Sequence, residues 1–493
     1  MAGFPIVVVG AGSAGCVLAA RLAQRGASVL LLEAGPDYLS KRDLPADIAD
    51  ARIPTVSHDW GYRSVPGRVG RELPLPRGRL VGGCSATNAC FALRGSPADY
   101  DRWAALGNEG WSFQQCLPYF CASEADADFG SDTWHGAAGP LPIRRYGPGE
   151  RNAFQEALLS AATAQHPYVA DHNAPGAVGV GPVPVNAVSG LRVSTALAYL
   201  SLVRGRPNFQ IRSDALVDRI VVRSGRAIGV RLAASGETIE ADLIVLAAGS
   251  YASPALLLRS GIGPATELAA LGLRCEVDLP GVGKNLADHP WVPSPLVVSI
   301  APGGPGFQAV VTWHSTGTDP SCAPDLQIFA QGPLNNDGRA LASLCAAVLK
   351  PRSRGCVVLR SLDPAAPPVI DLGLLTDDED LRRICEAVRH ARRLLSASQF
   401  RAIAEQDDAS NDRQKDDEVV SYVLANVRTY HHPTGTCAMG PDPTHAVVDS
   451  TGHVHGMEQL VVADASVMPE IPSANINLAT VMIAERIAAT LAL

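Results

Sequence analysis

Two short apolar segments near the start of the chain flank a helical pattern. Residues 6–9 are continuously hydrophobic and rich in β-branched side chains, and a second apolar run covers residues 28–32. Short apolar runs of this kind are typical of strands buried in a sheet. Residues 16–24, between them, favour a helix. We therefore predict a strand–helix–strand unit over residues 5–35.

Further along the chain, helical and strand-like patterns alternate. Residues 97–124, 151–166 and 193–203 favour helices, residues 208–250 and 291–372 favour strands, and residues 460–463 form another short apolar run. An amphipathic helix is predicted over residues 377–396, with an acidic first turn. Further helices are predicted over residues 253–260, starting at Ser253-Pro254, and over residues 478–493.

These elements predict an α/β protein with a discontinuous, Rossmann-like nucleotide-binding domain. We expect the apolar strands at residues 6–9, 243–249 and 460–463 to share one sheet. The predicted nucleotide-binding parts are residues 1–150, 208–290 and 431–493. Residues 151–207 are assigned to substrate or cap elements, and residues 291–430 to a substrate-binding domain with an antiparallel sheet and helices.

Composition narrows the class of protein. The chain has 493 residues, 47% of them hydrophobic, and a formal net charge of −8. It contains no basic block and no run of about 18 apolar residues, so we expect no nucleic-acid partner and no membrane span. The eleven cysteines are scattered without a CxxC pair. We therefore expect reduced thiols, a cytoplasmic location and no metal site. His453 and His455 have the spacing of two metal ligands, but without a third ligand we expect them on a surface strand. The oligomeric state is left open.

A glycine-rich turn follows the first apolar run. Gly10, Gly12 and Gly15 have the spacing GxGxxG, and Glu33 follows the second strand. In a dinucleotide-binding unit the first glycine permits the tight turn, the second lets the backbone approach a pyrophosphate, and the third lets the helix pack closely. The acidic residue accepts hydrogen bonds from a ribose diol. The spacing therefore predicts a dinucleotide site.

Four collinear segments resemble the glucose–methanol–choline oxidoreductases, which bind FAD. The first is Gly10-Ala-Gly-Ser-Ala-Gly15 with Glu33-Ala-Gly35, and the second is Gly78-Arg-Leu-Val-Gly-Gly-Cys-Ser-Ala-Thr-Asn88. The third runs from Gly249 to Pro264, and the fourth from His432-Pro-Thr-Gly-Thr436 through Asp464 to Asn477. The resemblance covers residues 7–488. Within the family, the chain is most similar to bacterial alcohol oxidases and dehydrogenases that act on primary alcohols.

This resemblance implies a catalytic pair. His432 is expected to take the hydroxyl proton of an alcohol, and Asn475 to donate a hydrogen bond to the substrate oxygen. From the residues alone, a loop histidine that caps a turn is the favoured interpretation of His432, and only the resemblance favours a base. His431 is either a neighbour of the flavin or an indifferent residue. Asn477 either contacts the flavin ring or satisfies its own backbone.

The resemblance also implies a set of cofactor contacts. Val217 matches a backbone contact to the adenine, and we expect the carboxylate of Asp464 to bind a ribityl hydroxyl or a water. Some relatives attach FAD covalently through a histidine. Thr87 stands at that position here, so we predict non-covalent FAD. The expected cofactor-binding residues are Gly10, Gly12, Ser13, Ala14, Gly15, Glu33, Ala34, Val81, Gly83, Ser85, Asn88, Ala89, Cys90, Val217, His431, Asp464, Ala465 and Asn477.

The predicted reaction is FAD-dependent oxidation of a primary alcohol to an aldehyde, with hydride transfer to flavin N5. Electrons then pass to O2 or to another acceptor, which the sequence does not distinguish. An aromatic content of 5% and the lack of an evident anionic cage argue against a quaternary ammonium substrate. By analogy with the family we expect a neutral aryl or heteroaryl alcohol. The alternative is a flavin-containing lyase of the hydroxynitrile lyase type on the same scaffold.

Overall fold

The computed structural model describes residues 4–405 and 416–492, and its first sheet contains the strands predicted for the nucleotide-binding domain. Five parallel strands lie in one sheet. The predicted strands at the start, middle and end of the chain do share this sheet. In spatial order the strands are Phe209–Arg212, Val29–Leu32, Phe4–Val9, Thr238–Leu246 and Leu460–Val462.

The first half of Thr238–Leu246 has a second role. It pairs antiparallel with Arg226–Leu232, which in turn pairs with Val217–Arg223. The alternating pattern of residues 208–250 arises because these strands are partly exposed, whereas the parallel strands Val29–Leu32 and Leu460–Val462 are buried on both faces.

A second sheet of six strands is antiparallel throughout. Its long central strands bury alternate side chains against the helices Asp378–Leu395 and Ala153–Ala162. This sheet and its helices form a core separate from that of the first sheet. In spatial order the strands are Arg428–Thr429, Pro290–Val298, Arg339–Val348, Leu326–Asn336, Ala309–Trp313 and Val180–Pro182.

Most predicted helices are present. The helix Asp378–Leu395 begins at Asp377, whose side chain accepts a hydrogen bond from the backbone N–H of Glu379. The remaining helices of eight or more residues are Ser13–Gln24, Pro97–Ala105, Phe113–Ser123, Ala153–Ala162, Gly249–Arg259, Asp416–Asn426 and Asn477–Thr490. Short helices are Ala46–Ala49, Thr195–Tyr199, Ala265–Ala270 and Ser398–Arg401.

Short paired strands hold the connecting segments. They are Tyr62–Arg63 with Pro74–Leu75, Glu124–Asp126 with Leu141–Arg145 and Pro184–Val185, Ala187–Val188 with Leu191–Arg192, Ile262–Gly263 with Val277–Asp278, and Cys356–Val358 with Val369–Asp371.

Two predicted elements are wrong in detail. The helix expected to start at Ser253-Pro254 begins four residues earlier, at Gly249, because the Ser253 hydroxyl and the Gly249 N–H both donate to Asp464. Pro254 then stands in the second turn of the helix and has no N–H for the Ser250 carbonyl, which accepts from the Thr436 hydroxyl at 2.7 Å instead. His453 and His455 do not lie on a regular strand but in a turn region with isolated bridges.

The sequence predicts no membrane span, and the helices of the structure can be compared with this prediction. None of those in the described ranges combines the length and the apolar composition needed to cross a bilayer.

Candidate active site

A cavity of about 720 Å³ opens at the carboxyl ends of the parallel strands. Val9, Leu32 and Ala247, which end or follow three of these strands, line it. In open α/β sheets the strand ends leave a crevice where ligands bind. The cavity extends from the glycine-rich turn to His432 and Asn475, so a single space contains both the predicted nucleotide site and the predicted catalytic pair.

The glycine-rich turn has the geometry that its spacing predicts. Gly10 has φ +96°, and a Cβ there would overlap the backbone of Ala247. A Cβ on Gly15 would overlap the carbonyl oxygen of Gly10, so only glycine allows this helix to pack against the turn. Gly12 faces open space, with Gly83 Cα 4.0 Å from the position of its missing Cβ. The helix Ser13–Gln24 therefore begins at the cavity with no acidic residue in its first turn, and its N-terminus is free to bind an anion.

Glu33 lies at the cavity wall after the second parallel strand. Its two carboxylate oxygens accept hydrogen bonds from the backbone N–H groups of Ala11 (2.9 Å) and Gly35 (3.0 Å). Burial disfavours its charged form and raises its pKa to about 7, although these N–H groups oppose the shift. Glu33 thus fixes the turn as well as facing the predicted ribose position.

The second small-residue segment only partly faces the cavity. Gly83, Thr87, Asn88 and Ala89 line it. Ser85 points away: it is buried, and its hydroxyl donates to the Gly82 carbonyl at 2.5 Å and contacts the Thr195 hydroxyl at 2.9 Å.

Three other expected cofactor residues, Gly15, Val81 and Cys90, also do not line the cavity. Their contacts with a cofactor stay predictions.

Four further expected cofactor residues face the cavity, and their contacts with a cofactor stay predictions. Ala14, Ala34, Val217 and Ala465 line the cavity.

Asp464 also lines the cavity, but its carboxylate already accepts hydrogen bonds from three protein groups. It accepts hydrogen bonds from the N–H of Gly249 (2.8 Å), the hydroxyl of Ser253 (2.6 Å) and the N–H of Ser466 (2.8 Å). Asp464 therefore starts one helix and one turn at the cavity, a role that the sequence does not reveal.

The predicted catalytic pair is in contact. His432 Nε2 and Asn475 Nδ2 lie 3.2 Å apart. Asn475 is 8% exposed, and its Oδ1 has no hydrogen-bond partner among the described residues. Both residues line the cavity, so a small molecule bound there can reach a ring nitrogen and an amide at the same point.

Three residues that the sequence analysis did not identify hold His432. His289 Nδ1 lies 3.0 Å from His432 Nδ1, and Tyr430 stacks on the imidazole with ring centroids 4.4 Å apart. The Asp288 carboxylate accepts from the His432 backbone N–H at 2.9 Å and from the Thr429 hydroxyl. The segment Asp288-His289-Pro290 carries one sequence signal, a histidine beside a carboxylate just before the strands predicted from residue 291.

The electrostatics favour a neutral imidazole at 432. Burial is the largest cause, and His289, His431 and Arg77 add to it, so the pKa of His432 lies well below its ordinary value. Burial also lowers the pKa of His289 to about 3 and that of His431 to about 3. At neutral pH each of these imidazoles is therefore neutral and has one ring nitrogen without a hydrogen.

His431 and Asn477 flank this pair. His431 has φ +64°, lines the cavity and has a buried Nδ1 without a partner in the described part of the chain. Asn477 accepts a hydrogen bond from Ser13 Oγ at 2.8 Å and so ties the last helix to the glycine-rich turn. Both face the cavity, and their contacts with a cofactor stay predictions.

Aromatic side chains form the wall near His432. Phe329 stacks on Tyr430 at 4.8 Å and approaches Trp291 at 5.6 Å and Phe307 at 6.0 Å. Phe91 completes this aromatic cluster, and Gln331 adds an amide. Among the described lining residues the carboxylates are Glu33, Asp59 and Asp464, and none belongs to the cluster. The 5% aromatic content did not predict this concentration of rings.

Two other groups of side chains resemble metal ligands. His453 Nδ1 contacts the Thr451 hydroxyl and His455 Nε2 the Gly440 carbonyl, so each ring already has a protein partner. A buried cluster of Glu124, Asp126 and His135 brings three ligand atoms within 4.8 Å of one another. Arg94 and Arg145 pair with its carboxylates, which makes it a balanced charge network.

Comparison with known proteins shows the family to which the chain belongs. The GMC oxidoreductase model matches residues 4–291 in its N-terminal part and residues 351–484 in its C-terminal part. The chain belongs to the GMC oxidoreductases. It is 37% identical to 5-(hydroxymethyl)furfural oxidase of Methylovorus sp. (strain MP688), with 98% of each chain covered. It is 33% identical to an oxygen-dependent choline dehydrogenase of Photobacterium profundum, covering 98% of this chain and 92% of that relative.

A solved structure shows the same fold. Pyridoxine 4-oxidase from Mesorbium loti superposes with a TM-score of 0.91 at 31% identity, covering 99% of this chain and 98% of the other. This confirms the predicted family and the α/β class.

GMC oxidoreductases bind FAD, and the cavity fits this group. An uncapped helix N-terminus and the open space at Gly12 suit a pyrophosphate. At the other end, two buried polar atoms lack partners among the described residues, His431 Nδ1 and Asn475 Oδ1. Buried polar atoms in this position are satisfied when a polar ligand occupies the site.

Proposed function

We propose that this GMC oxidoreductase oxidises neutral aryl or heteroaryl primary alcohols to aldehydes, with His432 as the base. The observation that carries the proposal is the pairing of His432 Nε2 with Asn475 Nδ2, 3.2 Å apart, beside the aromatic wall. General bases are found within hydrogen-bond reach of the proton that they remove.

In the proposed reaction, His432 Nε2 accepts the hydroxyl proton while the Asn475 amide donates a hydrogen bond to the substrate oxygen. The amide is neutral, so it stabilises negative charge on that oxygen without giving up a proton. Bound FAD supplies the acceptor for the hydride from the alcohol carbon. The alcohol thus loses one proton and one hydride and becomes an aldehyde.

The substrate class follows from the wall of the site. The cluster formed by Phe91, Trp291, Phe307, Phe329 and Tyr430 offers faces and edges on which an aromatic ring can stack. A quaternary ammonium substrate would use the same rings but also needs a carboxylate, and the cluster contains none. Relatives named for hydroxymethylfurfural and for pyridoxine support a heteroaryl alcohol.

Two expectations about the cofactor and its acceptor belong to this proposal. We infer that FAD is held without a covalent bond, because Thr87 lines the cavity where some relatives carry a histidine. Denaturation in acid should release all flavin from the protein, which the mass of the intact chain checks. Whether O2 or another carrier takes the electrons, and whether the protein works in the cytoplasm, stay predictions.

The decisive experiment is anaerobic reduction of the bound flavin across a panel of alcohols, followed by admission of oxygen. Benzyl, furfuryl and pyridylmethyl alcohols should bleach the flavin, and choline should do so much more slowly. Rapid reoxidation by O2 would identify an oxidase. Flavin that stays oxidised with every alcohol, together with cyanohydrin cleavage, would replace the proposal by the lyase alternative.

A further inference from the structure

A chain of hydrogen bonds runs from His432 through His289 and ends at a backbone carbonyl oxygen. His289 Nε2 lies 3.1 Å from the backbone carbonyl oxygen of Pro472. A carbonyl oxygen can only accept, so Nε2 of His289 must carry the hydrogen. His289 is 0% exposed and its pKa is lowered to about 3 by burial and by Lys350, so the ring is neutral. Its Nδ1 is then a bare acceptor.

The state of His289 fixes the state of His432. Since His289 Nδ1 can only accept, His432 Nδ1, 3.0 Å away, must be the donor. His432 is neutral, so its Nε2 is left with a lone pair that faces the cavity and the Asn475 amide at 3.2 Å. Asn475 could be turned to present either its oxygen or its nitrogen, and by itself it does not choose the tautomer.

We propose that His289 is a positioning residue that holds His432 in the tautomer with a bare Nε2, the form able to accept a proton from an alcohol. This inference rests on the proposed function for its catalytic meaning. The arrangement resembles the acid–histidine pair of hydrolases, but a neutral imidazole anchored to a carbonyl replaces the carboxylate. With a neutral partner at Nδ1, no carboxylate of the described ranges contacts the ring of His432, and the Asp288 carboxylate contacts only its backbone N–H.

The position of the anchor adds a second consequence. Pro472 lies three residues before Asn475, in the same loop. His289 thus contacts the backbone of the loop that carries the amide and, with its other nitrogen, the base. Charged and titratable groups that act on the two imidazoles are His431, Arg77, Asp288, Lys350 and Asp99.

The direct test is ¹⁵N NMR of the oxidised holoenzyme with labelled histidine, assigned with His289→Leu and His432→Gln. We expect His432 to be protonated at Nδ1 and bare at Nε2, and His289 to be the reverse. A His432 ring protonated at Nε2 in the wild-type protein overturns the proposal. This readout does not depend on turnover, so it stands even if no alcohol is oxidised.

Kinetics provide the second arm. His289→Leu removes the acceptor, and the rate constant of anaerobic flavin reduction should fall on the order of 10²-fold while flavin stays bound. His289→Asn puts a carbonyl oxygen near the position of Nδ1 and should restore part of the rate. The matched control is His390→Leu, which breaks the other histidine pair, His166 and His390 at 2.8 Å, and should leave the rate unchanged. A wild-type rate in His289→Leu contradicts the proposal, and the NMR measurement decides the matter if that variant does not fold.

Discussion

Two buried histidine sites in this protein have opposite charge states. His432 contacts His289 and Asn475, and its pKa is far below the ordinary value, mainly because of burial. His135 is more completely enclosed, with a side chain that is 0% exposed, whereas His432 is half-buried at the cavity wall. It contacts Glu124, Asp126 and Asp171, and these carboxylates outweigh the effect of burial and raise its pKa to about 10.

The difference shows that burial alone does not decide whether an imidazole is charged. Around His135, three carboxylates and the two guanidinium groups of Arg94 and Arg145 form a network in which a protonated ring completes the charge balance. Around His432, the partners are a neutral ring and an amide, so a proton on the ring would be an unpaired charge. The first site holds a charged ring within an ion network, and the second holds a neutral ring with a nitrogen that faces the cavity.

The largest expected effect concerns the neutral site. Replacing His432 by alanine removes the proposed base and should lower the rate constant of flavin reduction on the order of 10³–10⁴-fold. Flavin absorbance of the purified variant serves as the control, because it shows that the cofactor site is intact. A variant that keeps a tenth of the wild-type rate would show that His432 is not the base.

The charged site should respond in stability. His135→Leu leaves three buried carboxylates with two arginines, and it should lower the free energy of unfolding by roughly 3–5 kcal/mol. Denaturant unfolding measures this, with His390→Leu as the control because it removes a buried histidine that has no carboxylate partner in its described contacts. If both variants lose the same free energy of unfolding, the carboxylates around His135 add nothing to stability beyond what any buried histidine contributes.

The two sites should also give opposite pH responses. Histidines with lowered native pKa values are protonated in the unfolded chain below pH about 6.5 but not in the native protein. Acidification from pH 6.5 to 5.5 should therefore cost about 1 kcal/mol of unfolding free energy for each one. They are His166, His172, His289, His390, His431 and His432, and the pKa of His166 is lowered by burial as well.

Two buried acids oppose this loss. Glu33 and Asp288 have raised pKa values, about 7 and about 6, so they are protonated in the native state first. The contribution of His135 is complete below pH about 6.5 and is lost as the pH rises toward 10, because its native pKa is raised. Unfolding midpoints of wild type and His135→Leu at pH 8 and pH 10 should converge. If the gap between them stays constant, His135 is not charged in the native protein.

The smallest expected effect concerns the aromatic wall. Phe329→Leu removes a ring that stacks on Tyr430 and should raise KM for an aryl alcohol about tenfold, with little change for a short aliphatic alcohol. Steady-state kinetics with both substrates measure the ratio. An equal change for both would show that the ring supports the fold of the site rather than the selection of substrate.

The glycine-rich turn could be predicted because its chemistry is local. Gly10, Gly15 and Glu33 are fixed by spacing along one strand–helix–strand unit, and the structure places them as expected. Ser85 and Asp464 could not be separated in the same way. The Ser85 hydroxyl contacts Thr195 in the interior, and the Asp464 carboxylate accepts hydrogen bonds from Gly249 and Ser253. These contacts join residues far apart in the chain, which no local pattern records.

The sequence alone determined the fold class and the family, because strand-forming runs predict the sheet and the order of the motifs carries the resemblance. That resemblance in turn implied the pairing of His432 with Asn475. Only the tertiary structure decided the state of the base. His289 and Pro472 come from segments remote from His432, and folding alone brings their ring and carbonyl into one line of hydrogen bonds. The direction of that line depends on which atoms can donate, and this is a property of contacts rather than of residue order.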